Sequence, residues 1–304
     1  MIRRRAALLA APGAMLSRPA GACAPMRDLM PAFWAAFDAL PPGNAVDRAQ
    51  GLIATYLQPN IASYRATGIG RVDIAAWLGR FDPIAPQVRA LSQHLPDLWC
   101  ARLAQFQRLL PDAAPEVPAT ALVSFLWFDA RARPAQGRMV LFLGLDMIVL
   151  RYGEEPGALL DHERFHLYHH QVNPSLVLPG RDPLWLGIWK EGLAIHATAL
   201  LNPDAPHRTA FMGDETLAAM DPATLRRVAA ELSGRLDATD LAERSRYLGH
   251  GYRGTIPARS GYALGLAVVE RVAQGRDLAA LARIPAPEIA AIMRRELAAI
   301  AQGG

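Results

Sequence analysis

Apolar residues recur at helical spacing in Met30–Leu40, Ala45–Tyr64 and Ile84–Leu110, with Pro and Gly between them. Residues 26 to about 110 therefore read as helical. Pro111 to Pro118 is a Pro- and Ala-rich connector. The pattern then changes. Ala121–Phe128 and Met139–Leu145 are short runs rich in Val, Leu and Phe, and they flank Asp129–Arg138, a polar stretch with Pro134 and Gly137. That arrangement predicts a hairpin. From Pro156 helical spacing returns, over about Pro156–Gln171, Pro183–Leu201, Pro222–Arg235, Gly261–Gln274 and Pro285–Ala301. Proline near several of these starts fits its preference for the first helical turn. In the last helix Ile289, Ile292, Met293 and Leu297 fall along one side, which predicts an amphipathic cap. Trp34, Trp77 and Trp99 read as core. The order of helices, a small sheet and more helices argues for an α+β fold, mainly helical.

Composition narrows the function. Of 304 residues, 52% are hydrophobic and 20% charged, enough to bury a sizeable core. No apolar run reaches the roughly 18–20 residues that cross a bilayer, so no transmembrane helix is expected in the mature chain. The formal charge is +4, but Arg3, Arg4, Arg5 and Arg18 lie in an acid-free opening of 24 residues; without them it is zero. The remaining basic residues are interleaved with acids, so no nucleic-acid partner is expected. The same opening reads as an address. Met1–Arg5 is cationic, Ala6–Leu16 mostly apolar, and Ala20-Gly21-Ala22 or Ala22-Cys23-Ala24 offers a small-residue cleavage pattern. A signal peptide over 1–24 and a periplasmic or secreted protein are expected. Lipid anchoring through Cys23 is not, because Ala20 stands where such sites usually carry a larger aliphatic residue. Cys23 and Cys100 are too few for a disulfide scaffold or a Cys-only zinc site. If Cys23 leaves with the leader, Cys100 is an unpaired, buried small hydrophobe.

The chemistry sits in Asp161-His162-Glu163-Arg164-Phe165-His166. Two histidines four apart on a helix project from one face. Both imidazoles can then meet one Zn²⁺, and Glu163 beside the first can reach a water without ligating the metal. The offsets where the metzincin pattern needs Gly and His hold His169 and Val172, which excludes that class. A third ligand comes from the next helix, in Trp189-Lys190-Glu191-Gly192-Leu193-Ala194. Glu191 shares its stripe with Leu184, Ile188 and Ile195, and a carboxylate on an apolar stripe needs a partner. The competing reading turns Glu191 to water beside Lys190. Gly192 would permit close helix–helix approach. His196 is a weaker ligand candidate, or a group that hydrogen-bonds a ligand.

Together these two segments resemble the gluzincin group of zinc metallopeptidases. Within it they are most similar to bacterial families of predicted zinc-dependent proteases of unknown function. The likeness covers about residues 120–275 and includes the hairpin and Pro257-Ala258-Arg259-Ser260-Gly261-Tyr262-Ala263-Leu264-Gly265. The Gly-rich exopeptidase signature of gluzincin aminopeptidases is missing, since the strand before the zinc helix reads Met139-Val140-Leu141-Phe142-Leu143-Gly144-Leu145-Asp146. The resemblance implies a zincin-like catalytic region over 116–304, behind an N-terminal helical region over 25–115. One zinc ion would be held by His162, His166 and Glu191, with Glu163 as general base on a peptide or protein substrate. Tyr262 would be the second oxyanion donor, with His250 and Tyr252 as rivals. In such folds the strand Met139–Leu145 would line the cleft and pair with extended substrate. Two other functions use the same residues: a zinc amide hydrolase acting on a non-peptide substrate, and a non-catalytic zinc-binding module.

Overall fold

The structure, a computed structural model, describes residues 23, 26–114, 118–135, 137–176, 178 and 180–303. Apart from Cys23, the expected signal peptide lies outside them. The fold is α+β, mainly helical with one small sheet. After a two-residue strand β1 (Arg27–Asp28) come α1 (Met30–Asp38), α2 (Ala45–Leu52), α3 (Ile61–Thr67), α4 (Ile74–Phe81) and the long α5 (Ala85–Leu109). Side-chain caps start several helices: Asn44 accepts from the Val46 and Asp47 amides, and Asp73 from that of Ala76. The sheet is completed by β2 (Ala119–Leu122), β3 (Ala130–Ala135) and β4 (Arg138–Gly144). Helices α6 (Leu145–Tyr152), α7 (Gly157–Val172), α8 (Leu184–Leu201), α9 (Glu215–Ala218), α10 (Pro222–Leu232), α11 (Leu241–Leu248), α12 (Ser260–Val272), α13 (Leu278–Ala282) and α14 (Ala286–Gln302) follow. Among the described residues no helix is long and apolar enough to cross a membrane.

The expected hairpin needs correcting. The strand order is β1-β2-β4-β3, and β2 runs parallel to β4. The antiparallel partner of β4 is β3, which arises inside the stretch read as a turn, and the chain reverses at Gly137, where φ is +76°. Two physical reasons account for this. Pro134 is tolerated because β3 is an edge strand, where a missing N–H breaks no inner ladder. The apolar run after Leu122 is a buried turn, with Phe125 and Leu126 at φ of 55° and 61°. Asp146, at the start of α6, fastens that turn. Its carboxylate accepts from the amides of Ser124 (2.6 Å) and Leu126 (2.7 Å) and from the Trp77 indole (3.1 Å). Burial pushes the Asp146 carboxyl up, against these hydrogen bonds. A second consequence concerns substrate. β4 has a partner on each side, so Met139–Leu145 cannot add a strand; among the described residues the sheet's edges are the two-residue β1 and the longer β3.

Two hydrophobic cores meet at α7. One joins α1 to the middle of α5 with the sheet, α6 and Leu159 and Leu160 of α7. Trp34, Trp77 and Trp99 are buried in it, and it runs across the boundary expected near residue 115. The other joins Phe165 and Tyr168 of α7 to α8, α10, α12, α13 and α14, where Ile289, Ile292, Met293 and Leu297 are buried. The helix with the paired histidines is thus clamped between both.

Cys100, expected to be unpaired if Cys23 left with the leader, is bonded to Cys23 across 77 residues of sequence. The bond ties the start of the described chain to α5. In the chain-entropy account, closing a loop of that length contributes about 4.5 kcal/mol. Reduction, or Cys100→Ser, should therefore lower the urea midpoint, with a loss near that size. A midpoint unchanged by reductant would show that the bond does not form in solution.

Candidate metal centre

Local sequence places the first two donors. On α7, His162 and His166 stand one turn apart with rings 4.7 Å apart and nearly perpendicular (87°). Their Nε2 atoms approach to 3.1 Å. From α8, Glu191 brings Oε2 to 3.1 Å from His162 Nε2 and 3.4 Å from His166 Nε2. Among the described residues these three form the one group of this kind able to hold a metal ion. The rest of the Glu191 stripe, Leu184, Ile188 and Ile195, is fully buried. Lys190 turns aside to donate to Asp182 at 2.7 Å, so it does not draw Glu191 to water.

The spacing fits zinc. Four donors about 2.0–2.1 Å from a tetrahedral ion stand about 3.3–3.4 Å from one another. Imidazole and carboxylate are suitable ligands, and three protein donors leave a fourth position open. Glu191 is held well below the usual carboxylate range: burial opposes this, but the charge and hydrogen bonds of His166 and His162 outweigh it. One feature departs from the usual surroundings of a metal-bound histidine. His162 Nδ1 is buried and has no hydrogen-bond partner among the described residues.

Glu163, half-buried, is not in the donor cluster. Burial, with the negative charges of Asp129 and Glu191, pushes its carboxyl up to about 7 despite His166 and Arg259. Tyr262, from the first turn of α12, lies parallel to the His162 ring (centroids 6.3 Å apart, 11°). Burial and then the charge of Glu191 raise its phenol well above the ordinary range, so it keeps its proton. His250 instead faces Arg151, at 3.3 Å, and Tyr252 lines a separate depression with Arg253 and Pro257. His196 is half-buried on α8, outside the donor group.

What brings Tyr262 to His162 is the crossing of α8 and α12. A Cβ on Gly192 would lie 2.1 Å from the Gly265 carbonyl carbon, and one on Gly265 would lie 2.3 Å from the Ile188 oxygen. Only paired glycines allow this approach.

The opposite face of α7 carries residues that the motif does not reveal. Asp161 is fully buried; Arg102 of α5 pairs with both of its oxygens, and Asn202 donates to it at 3.0 Å. Arg164 lies over the Trp99 ring, 3.9 Å from its centroid, and donates to the Trp99 carbonyl at 3.2 Å. These contacts fix the rotation of α7 from behind and so aim both histidines. Their sequence signal is a charged residue on each side of the His-Glu pair, on a helix otherwise buried.

Beside the centre is a pocket of about 640 Å³ whose wall includes Arg151, Tyr152, Leu159, His250 and Arg259. Comparison with protein-family profiles, curated proteins and solved structures finds no match to this chain.

Proposed function

We propose that the chain is a zinc-dependent hydrolase of the gluzincin type, with a zincin-like fold, that cleaves peptide bonds. One observation carries the reading: three donors from two helices converge at tetrahedral spacing, while Glu163, next to His162 in the chain and electrostatically coupled to His166 and Glu191, stays outside the cluster. His162, His166 and Glu191 would hold the ion. When bound, zinc polarises a carbonyl and lowers the pKa of water toward about 7. Glu163 takes the proton from the attacking water and delivers it to the departing amine. The Tyr262 hydroxyl donates a hydrogen bond to the developing oxyanion. The free edge of β3 offers extended substrate its unpaired backbone groups.

The Cys23–Cys100 bond supports a periplasmic or secreted location, because such bonds persist in oxidising compartments. It also favours cleavage after Ala20-Gly21-Ala22, which retains Cys23. A lipid on the Cys23 sulfur and this disulfide exclude each other.

Elemental analysis of the purified chain should find one zinc per molecule. Glu191→Ala should drop that ratio well below one after dialysis, while circular dichroism stays native, because a catalytic ion is not the fold's main support. A wild-type chain that binds no zinc from a buffered micromolar solution would end the proposal. Digestion of a peptide library then separates a peptidase from an enzyme acting on other amides.

A further inference from the structure

The pocket beside the metal centre contains a charge that the mechanism above does not use. Arg259 is only 5% exposed, yet its Nε is buried with no hydrogen-bond partner among the described residues. Its one ion pair among the described residues is long: Nη1 lies 3.5 Å from Oδ2 of Asp214. Asp214 is already engaged, because its other oxygen caps α9 by accepting from the Leu217 amide at 3.1 Å. The Arg259 guanidinium lies over the Tyr262 ring, 4.2 Å from its centroid. That contact recovers part of the cost of burying a cation, but supplies no hydrogen-bond acceptor.

The backbone is also unusual. Arg259 has φ of 57° and ψ of 19°, the left-handed region that a side chain other than Gly, Asn or Asp rarely occupies. An under-paired, buried guanidinium on a strained backbone is a costly arrangement. It persists where the residue serves a ligand.

The neighbouring charges compensate it only in part: the Glu163 carboxylate acts on it electrostatically, but the two form no ion pair among the described residues. Arg151 is matched by Asp129 at 2.7 Å, and Arg208 is exposed and faces Glu215 at 3.4 Å. Glu155, the other acid on the wall, is exposed. Arg259 itself links pocket and centre. It lines the first, and it packs on the tyrosine that lies against His162.

We propose that Arg259 receives a carboxylate of the substrate in this pocket, so that the enzyme selects peptides carrying a carboxylate close to the bond it cleaves. This rests on the hydrolase reading for its setting, though not for its test. A guanidinium presents N–H groups in a planar fork that matches a carboxylate, and charge-assisted bonds of this kind are the stronger ones. The carboxylate can belong to an acidic side chain or to the free end of a peptide; the pocket accepts the same chemistry from either.

The test is binding, measured by titration calorimetry on the full-length Glu163→Gln chain so that nothing is turned over. Three pentapeptides are compared: one acetylated and amidated with a central glutamate, the same with glutamine, and the glutamine peptide with a free C-terminus. At least one carboxylate-bearing peptide should bind about ten-fold more tightly than the neutral one. The peptide that does so identifies the source. Arg259→Gln should abolish the preference while zinc content and melting temperature stay near those of the parent; Arg259→Lys should restore part of it. Equal binding of all three peptides, no binding of any, or a preference that survives Arg259→Gln overturns the proposal. A residue that only props Tyr262 would change melting temperature without changing the ratio of affinities. If the wild-type chain cleaves nothing but the preference is present, the hydrolase reading falls, and Arg259 stands as a carboxylate-binding site without the cleavage.

Discussion

Glu163→Gln should leave one zinc per chain and slow peptide hydrolysis by about 10²–10⁴-fold, the usual contribution of a positioned general base. The two side chains are nearly the same size, so α7 keeps its packing. The proposed ligands are His162, His166 and Glu191, none of which is altered. What changes is chemistry: an amide cannot take the proton that the attacking water must lose. Two measurements on the same preparation decide the matter, turnover of a peptide from the library and zinc by elemental analysis. Near-wild-type turnover would remove Glu163 from its role. Loss of zinc together with activity would make Glu163 a ligand, and the donor cluster would have been assigned wrongly.

The centre was more legible in the sequence than the sheet that precedes it, for a physical reason. A four-residue spacing on a helix is a local geometric fact, so His162 and His166 needed no knowledge of the rest of the chain. Glu191 was reachable because a carboxylate among Leu184, Ile188 and Ile195 is costly unless paired. The strands obey non-local rules. Residues 123–128 are as apolar as a strand, but Asp146, about twenty residues later, binds their amides and folds them into a turn. No local pattern announces that. Likewise, the partner of Cys100 lies 77 residues away, in a segment that reads as a leader. The clamp on the back of α7 was hidden differently. Arg102–Asp161 and Arg164–Trp99 join α5 to α7 through residue types that, by spacing alone, look like a solvated face.

The alternation of legible and hidden parts is sharpest at the glycines. Gly192→Ala should destabilise the fold by about 3 kcal/mol, the upper end of ordinary overpacking, and weaken zinc binding. Two effects oppose each other. Alanine is the better helix former, by about 1 kcal/mol. Against this, the new Cβ would lie 2.1 Å from the carbonyl carbon of Gly265 and 2.4 Å from its oxygen. Those are backbone atoms inside α12, not the end of a flexible side chain, so a whole helix must shift to relieve the clash. Sterics therefore wins. The shift has a direction: α12 moves away from α8 and carries Tyr262 off the His162 ring. Glu191, the neighbour of Gly192, loses the wall that fixes its rotation. Gly265→Ala should do the same from the other side, since its Cβ meets the Ile188 oxygen at 2.3 Å. A urea titration and a competitive zinc titration on each variant check both halves. Gly79→Ala is the control, because a Cβ there has no neighbour within 4 Å and the site is distant in sequence from the centre. Wild-type stability in Gly192→Ala would mean that α8 and α12 are farther apart in solution than described, and that Tyr262 does not lie beside the metal ligands.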